Sequence, residues 1–228
     1  MVALSGTLVL VGAGKMGGAM LEGWLKGGAD PSRIVAMDPN PPAEVKALIE
    51  RHGVRLNPDV AGITDAQVVI VAVKPQLMED VLPGVVSLKH SKPLILSVAA
   101  GKTIASFERH FGADAAVIRT IPNTPAAVGR GITAMAANPN VSPAQMALAR
   151  TLLESVGEVV TVDNEAMIDA VTAVSGSGPA CGQGRSSWQA RPASRHSPAR
   201  PSASRPAGSS AHGIRLGACR GRSQGGVS

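Results

Sequence analysis

Residues 7–20, TLVLVGAGKMGGAM, run from an apolar stretch through three glycines directly into a helical pattern. The glycines Gly12, Gly14 and Gly17 match Gly-x-Gly-x-x-Gly in the strand-to-helix setting that gives this spacing its meaning. Gly12 permits the tight turn, Gly14 lets backbone approach a pyrophosphate, and Gly17 lets the helix pack on the strand. The phosphates would rest on the unpaired N–H groups and positive dipole end of the helix starting near Lys15, so Ala13, Lys15 and Met16 join the three glycines as candidate cofactor contacts. The bland alternative is a plain turn. A chain that starts this way is directed toward a doubly wound, Rossmann-type α/β fold.

The following 140 or so residues keep to that pattern: short Val/Ile/Leu-rich runs alternate with helical stretches, as in a mostly parallel sheet covered on both faces. Strands are expected at 7–12, 33–38, 54–56, 66–73, 93–101, 115–122, 131–138 and 158–163, with helices at 15–28, 42–53, 142–157 and 164–174. Ser142 followed by Pro143 reads as a helix cap and first helical position.

Asp38 stands 21 residues after Gly17, at the end of the second strand. It reads either as the carboxylate that bonds the adenosine ribose, which would tilt the choice toward NADH, or as a turn initiator before Pro39. Ala72–Pro75 end the fourth strand, where ligands of such sheets sit, so Val73 and Lys74 would face the cofactor cleft unless Lys74 is only a surface charge at a strand exit.

Whole-chain charge misleads here. The net charge of +6 and high isoelectric point suggest an anionic partner, yet 14 of the 22 Lys and Arg and all 16 Asp and Glu lie in residues 1–180. The last 48 residues carry eight Arg and no acid, and beyond Ala their apolar anchors are Trp188, Ile214, Leu216 and Val227. So little apolar surface cannot offset backbone ordering at about 1–2 kcal/mol per residue, so residues 181–228 are expected to be a disordered basic tail. It has neither a repeated motif nor interleaved aromatics, so nucleic acid is not the expected partner. Cys181 and Cys219 are both in the tail, which leaves residues 1–180 without a disulfide framework or Cys-based metal site. With no signal-peptide pattern and no membrane-length apolar run, the expectation is a cytoplasmic protein.

Five stretches together, VGAGKMGGAM, AVKPQ, LSVAAGKTI, IRTIPNTPAAVGRGIT and IDAVTAVSGSGPA, resemble the pyrroline-5-carboxylate reductases in order and spacing across residues 7–180. PNTPA and SGSGPA are much more specific than the glycine motif. The resemblance implies NAD(P)H-dependent reduction of 1-pyrroline-5-carboxylate to L-proline, the last step of proline biosynthesis. It places Val98, Ala99, Ala100, Asn123 and Thr124 beside the nicotinamide, and Ser175, Gly176 and Ser177 at the substrate, with Glu165 a candidate for the substrate nitrogen. No side chain is nominated as a catalyst, and no metal is implied. Each assignment has a structural alternative: PNTPA as a rigid turn, the Ser/Gly run as a hinge, Glu165 as a first-turn helix charge.

The resemblance divides the chain into a dinucleotide-binding domain at 1–163, the start of a helical substrate and dimerisation domain at 164–180, and the tail. The family's long apolar helix should follow Ala180, but Cys-Gly-Gln-Gly stands there, so residues 181–228 read as a basic tail or an out-of-frame product. The family's homo-oligomer is therefore not expected of this chain with the same force. Two other functions stay open: a nucleotide-binding module without turnover, and another reductase of the β-hydroxyacid-dehydrogenase type.

Overall fold

A computed structural model describes residues 3–122 and 131–169. The expected strands form one eight-stranded sheet: β1 (Thr7–Val11), β2 (Ile34–Met37), β3 (Arg55–Leu56), β4 (Ala66–Val71), β5 (Leu94–Ser97), β6 (Ala116–Pro122), β7 (Gly131–Ala137) and β8 (Gly157–Thr161), in the order β3-β2-β1-β4-β5-β6-β7-β8. Every pairing is parallel except β6 with β7. The sheet is therefore mostly parallel, as the alternation of elements predicts.

Period-two alternation sends each strand's apolar residues to both faces. Leu8, Leu10, Ile34, Ile70 and Leu96 point to one side, where α1 (Lys15–Lys26), α2 (Ala43–His52) and α5 (Pro143–Leu153) cover them with Met20, Leu21, Trp24, Ile49 and Leu152. Val9, Val11, Val35, Val69 and Val71 point to the other. There α3 (Met78–Val81), a 3-10 stretch at Leu82–Ser91 and α4 (Ile104–Phe111) supply Met78, Leu82, Val85, Phe107 and Phe111. Burying each such side chain is worth about 1.5–3 kcal/mol, so both layers are held by the sheet itself.

Local chemistry sets the helix ends. Gly53, at φ 68°, closes α2 in the left-handed conformation, which glycine adopts without a Cβ penalty. Ser142 and Gln145 form a reciprocal capping box ahead of Pro143, which fixes where α5 starts. The helix expected over 142–157 ends at Leu153 and tightens into a 3-10 turn over Glu154–Val156. Several strand expectations shorten by one to five residues, because residues such as Val73, Ala99 and Ala100 leave the ladder at the sheet's carboxyl edge. Residues 165–169 are helical, as expected for the first part of the stretch at 164–174; the remainder and residues 181–228 lie outside the described residues. Among the described residues no helix is long and apolar enough to cross a membrane.

Candidate functional site

After β3 the chain crosses back over β1 to lay down β4, so the strand order reverses between β1 and β4. Crevices at such switch points, beyond the carboxyl ends of the strands, hold the ligands of open α/β sheets. Two of the sequence-predicted segments flank this one: the Gly12–Gly17 loop leaves β1, and Ala72–Pro75 leave β4.

The three glycines have three different environments. Gly12 sits at φ 93°, and a Cβ there would come 2.8 Å from the Ala72 carbonyl oxygen. A Cβ on Gly17 would collide with the Gly12 carbonyl. Around Gly14 nothing lies within 4 Å of the Cβ position. Gly12 and Gly17 are thus required by the protein's own packing, whereas Gly14 faces open space. Gly14 is also the N-cap of α1, and no side chain caps that end and no acid occupies its first turn. The orphan N–H groups of a helix start are thereby left toward the cleft, in an environment suited to a phosphate. Ala13 is buried, Lys15 exposed and Met16 half-buried around this turn.

Asp38 is brought to the loop, and it does more than start a turn. Its Oδ2 accepts from Ala13 N–H at 2.7 Å while Oδ1 accepts from Asn40 N–H at 2.9 Å. Asn57, a residue at φ 49°, in turn accepts from Asp38 N–H at 2.8 Å and donates to its carbonyl at 2.7 Å. The turn reading of Asp38 is the one these bonds show: the carboxylate makes an Asx turn and, beyond that reading, braces the glycine loop, with acceptor capacity left over. A cleft of about 240 Å³ opens beside it, lined by Val11, Met37, Asp38, Asn57 and Val85.

Across the switch point, Ala72 and Val73 are half-buried, and Ala72 N–H extends the ladder to Val11 at 2.8 Å. Lys74 is exposed and caps a 3-10 turn that begins at Pro75. Val98 N–H bonds the Val71 carbonyl at 3.0 Å and Ala99 N–H bonds Ser97 Oγ at 3.2 Å, while Ala100 is exposed. Gly12–Gly17, Asp38, Ala72–Pro75 and Val98–Ala100 thus share one edge of the sheet. Asn123, Thr124, Ser175, Gly176 and Ser177 lie outside the described residues.

Glu165 is held by protein groups. Its Oε1 accepts from Arg119 Nη1 at 2.9 Å and from Ile104 N–H at 2.8 Å. Arg119, 3% exposed on β6, also bonds Asp169 Oδ1 at 2.7 Å. Reading the sequence for motifs passed over Arg119, Asp169 and Asn57. The available signal was a charge inside the apolar run VIRTI, since a buried guanidinium requires carboxylate partners.

On the same face, Glu79 of α3 meets His110 at 3.1 Å and Lys102 at 3.6 Å. Burial pushes the Glu79 carboxyl up, but the hydrogen bond and charge of His110, with the charge of Lys102, outweigh it and hold Glu79 below the usual carboxylate range. Another cavity of about 240 Å³, lined by Lys89, Lys92, Phe111, Asp114 and Asn140, opens at the amino ends of β5 and β6. That is the wrong end of the sheet for a dinucleotide.

Comparison with known proteins covers about three quarters of the chain. The family described as NADP oxidoreductase, coenzyme F420-dependent, matches residues 7–101. A pyrroline-5-carboxylate reductase of Pseudomonas aeruginosa is 39% identical over 173 residues, 76% of this chain and 63% of the relative. The Synechocystis enzyme of that name is 41% identical over 151 residues, 66% of this chain and 55% of the relative. Among solved structures, the pyrroline-5-carboxylate reductase of Coxiella burnetii superposes with a TM-score of 0.71 at 31% identity, over 78% of this chain and 66% of the other. The chain therefore spans less than two thirds of the length of these relatives.

Proposed function

Over about three quarters of its length this chain belongs to the pyrroline-5-carboxylate reductase family, and on that premise we propose that it binds a nicotinamide dinucleotide and reduces 1-pyrroline-5-carboxylate to L-proline. The observation that carries the reading is the uncapped start of α1 over the one loop glycine, Gly14, that faces open space. A turn built only for packing would explain Gly12 and Gly17 and leave Gly14 without a reason.

The dinucleotide supplies a hydride at its nicotinamide C4. The chain's residues do the binding and orienting. Backbone N–H groups at Gly14–Gly17 receive the pyrophosphate, with the helix dipole favouring its charge. Asp38 holds the loop in shape through Ala13 and presents its remaining acceptor capacity to the ribose hydroxyls, which favours NADH over a 2′-phosphorylated dinucleotide. Ala72–Pro75 wall the crevice from β4, and Val98–Ala100, with Asn123 and Thr124, line the nicotinamide end. Ser175, Gly176 and Ser177 receive the substrate carboxylate. A protonated cyclic imine is already electrophilic, so holding it against the hydride donor can supply most of the rate without a nucleophilic side chain. Glu165 supports the site from behind, through Arg119 and Ile104. We assign the dinucleotide domain to 1–163, the start of the substrate domain to 164–180 and a basic tail to 181–228, acting in the cytoplasm.

NADH oxidation by the full chain, measured with and without the imine, tests this reading. Imine-dependent oxidation supports it. Dinucleotide binding without such oxidation favours a module that binds nucleotide and does not turn over.

A further inference from the structure

We propose that Arg119 is a positioning residue for the imine reduction: its guanidinium, shared by Glu165 and Asp169, sets the separation between the nicotinamide-side loop 98–103 and the helical segment that begins at Glu165. The inference rests on the function proposed above.

Arg119 faces the same side of the sheet as Val117 and is paired in register with Ser97, the last residue of β5 before the loop. The loop ends at Ile104, whose N–H is held by Glu165 Oε1 at 2.8 Å. Both ends of the loop therefore meet one cluster, the first through strand pairing and the second by a direct hydrogen bond. Glu165 and Asp169 are four residues apart on helical backbone, so they share a face. The planar guanidinium reaches both, Nη1 to Glu165 at 2.9 Å and Nη2 to Asp169 at 2.7 Å. Between them Ile168, fully buried, packs with Ala134 and Ala136 of β7.

An aliphatic residue at 119 would avoid the desolvation of a buried charge, and such replacements are often neutral or stabilising. What the guanidinium adds is fixed geometry. Two forked bonds to carboxylates one turn apart fix the segment in rotation and in height over the sheet, which apolar packing leaves free to slide. Ser175 follows Asp169 by six positions in the chain, and the proposed function assigns it to the substrate, so the segment that Arg119 grips directly precedes the substrate-side residues in sequence. In the proposed reaction the imine is held between the loop's nicotinamide side and the residues that follow this segment, and a displacement of about 1 Å in such a site lowers rate on the order of a hundredfold.

The test uses the full chain with Arg119→Met and Arg119→Lys, reading three quantities: NADH affinity, hydrogen exchange at Ile104 and 165–169, and steady-state kinetics with 1-pyrroline-5-carboxylate. For Arg119→Met the expected result is exchange faster by about tenfold or more at those amides, NADH affinity lowered by no more than about fivefold because the glycine loop that holds the pyrophosphate is untouched while loop 98–103 shifts, and kcat/KM for the imine lower on the order of a hundredfold. Arg119→Lys, which keeps the charge and loses the fork, should recover part of the exchange protection and less of kcat/KM. Unchanged exchange at 104 and 165–169 overturns the proposal, as does a parallel loss of NADH affinity and turnover. Should Arg119→Met fail to fold, Asp169→Asn is read by the same three measurements against the same outcomes. If the parent chain turns over no imine, the proposed reduction fails, while exchange and NADH affinity still decide whether Arg119 holds the segment.

Discussion

At Gly14 a methyl group would meet only open space, and under the proposed function that single fact separates ligand binding from folding in the glycine loop. Gly14→Ala should leave the melting temperature unchanged and weaken dinucleotide binding by roughly tenfold, about 1.4 kcal/mol, measured by calorimetric titration. Gly12→Ala and Gly17→Ala should each destabilise by about 1–3 kcal/mol, the first through backbone strain at φ 93° and a crowded Ala72 carbonyl, the second by overpacking against Gly12. Equal stability of all three variants would contradict the assignment. On the proposed placement of the ribose, Asp38→Asn removes the charge that disfavours a 2′-phosphate. The preference for NADH over NADPH should then fall by roughly fivefold, about 1 kcal/mol, in competition binding. The packing roles of Gly12 and Gly17 were legible in the spacing alone. The brace from Asp38 to Ala13 was not, because it joins residues 25 apart through a fold that must first form.

Elements read from period and caps were located within a few residues, and those lacking such punctuation, together with α4, were missed. Met20, Leu21 and Trp24 mark α1, and the Ser142 box marks α5. Ser142→Ala should destabilise by about 1 kcal/mol and lower the melting temperature by about 2–4 °C, read from thermal unfolding. Residues 78–91 drew no assignment because Pro83 and Gly84 interrupt the helical pattern, and the chain answers with a short helix and a tight 3-10 stretch. The α4 stripe of Ile104, Phe107 and Phe111 was readable at spacings of three and four, yet the motif-bearing segments around it drew the assignment elsewhere. Glu79, which links α3 to His110 of α4 and to Lys102, adds a pH dependence. Its carboxyl ionises below its ordinary value, so its contribution is present at neutral pH and is lost as pH falls through that lowered value. A carboxyl-carbon NMR titration should find Glu79 ionising below an unperturbed glutamate, and His110→Ala should move it upward. An unshifted Glu79 would remove the linkage.

The whole molecule was the scale at which composition misled most, since the basic balance of the chain comes from its last 48 residues. The alternation of strands and helices fixes the doubly wound sheet. The switch point between β1 and β4 then gathers Gly12–Gly17, Asp38 and Ala72–Pro75 at one edge. What motif reading could not supply was the link from that edge to the segment beyond β8, which runs through a buried Arg119 on β6. The most direct measurement follows NADH oxidation and proline formation together, with the full chain and 1-pyrroline-5-carboxylate as the sole oxidant. The account predicts imine-dependent oxidation, with one proline formed per NADH consumed and the rate reduced in Gly14→Ala. NADH that binds at the glycine loop yet is never oxidised by the imine would contradict it.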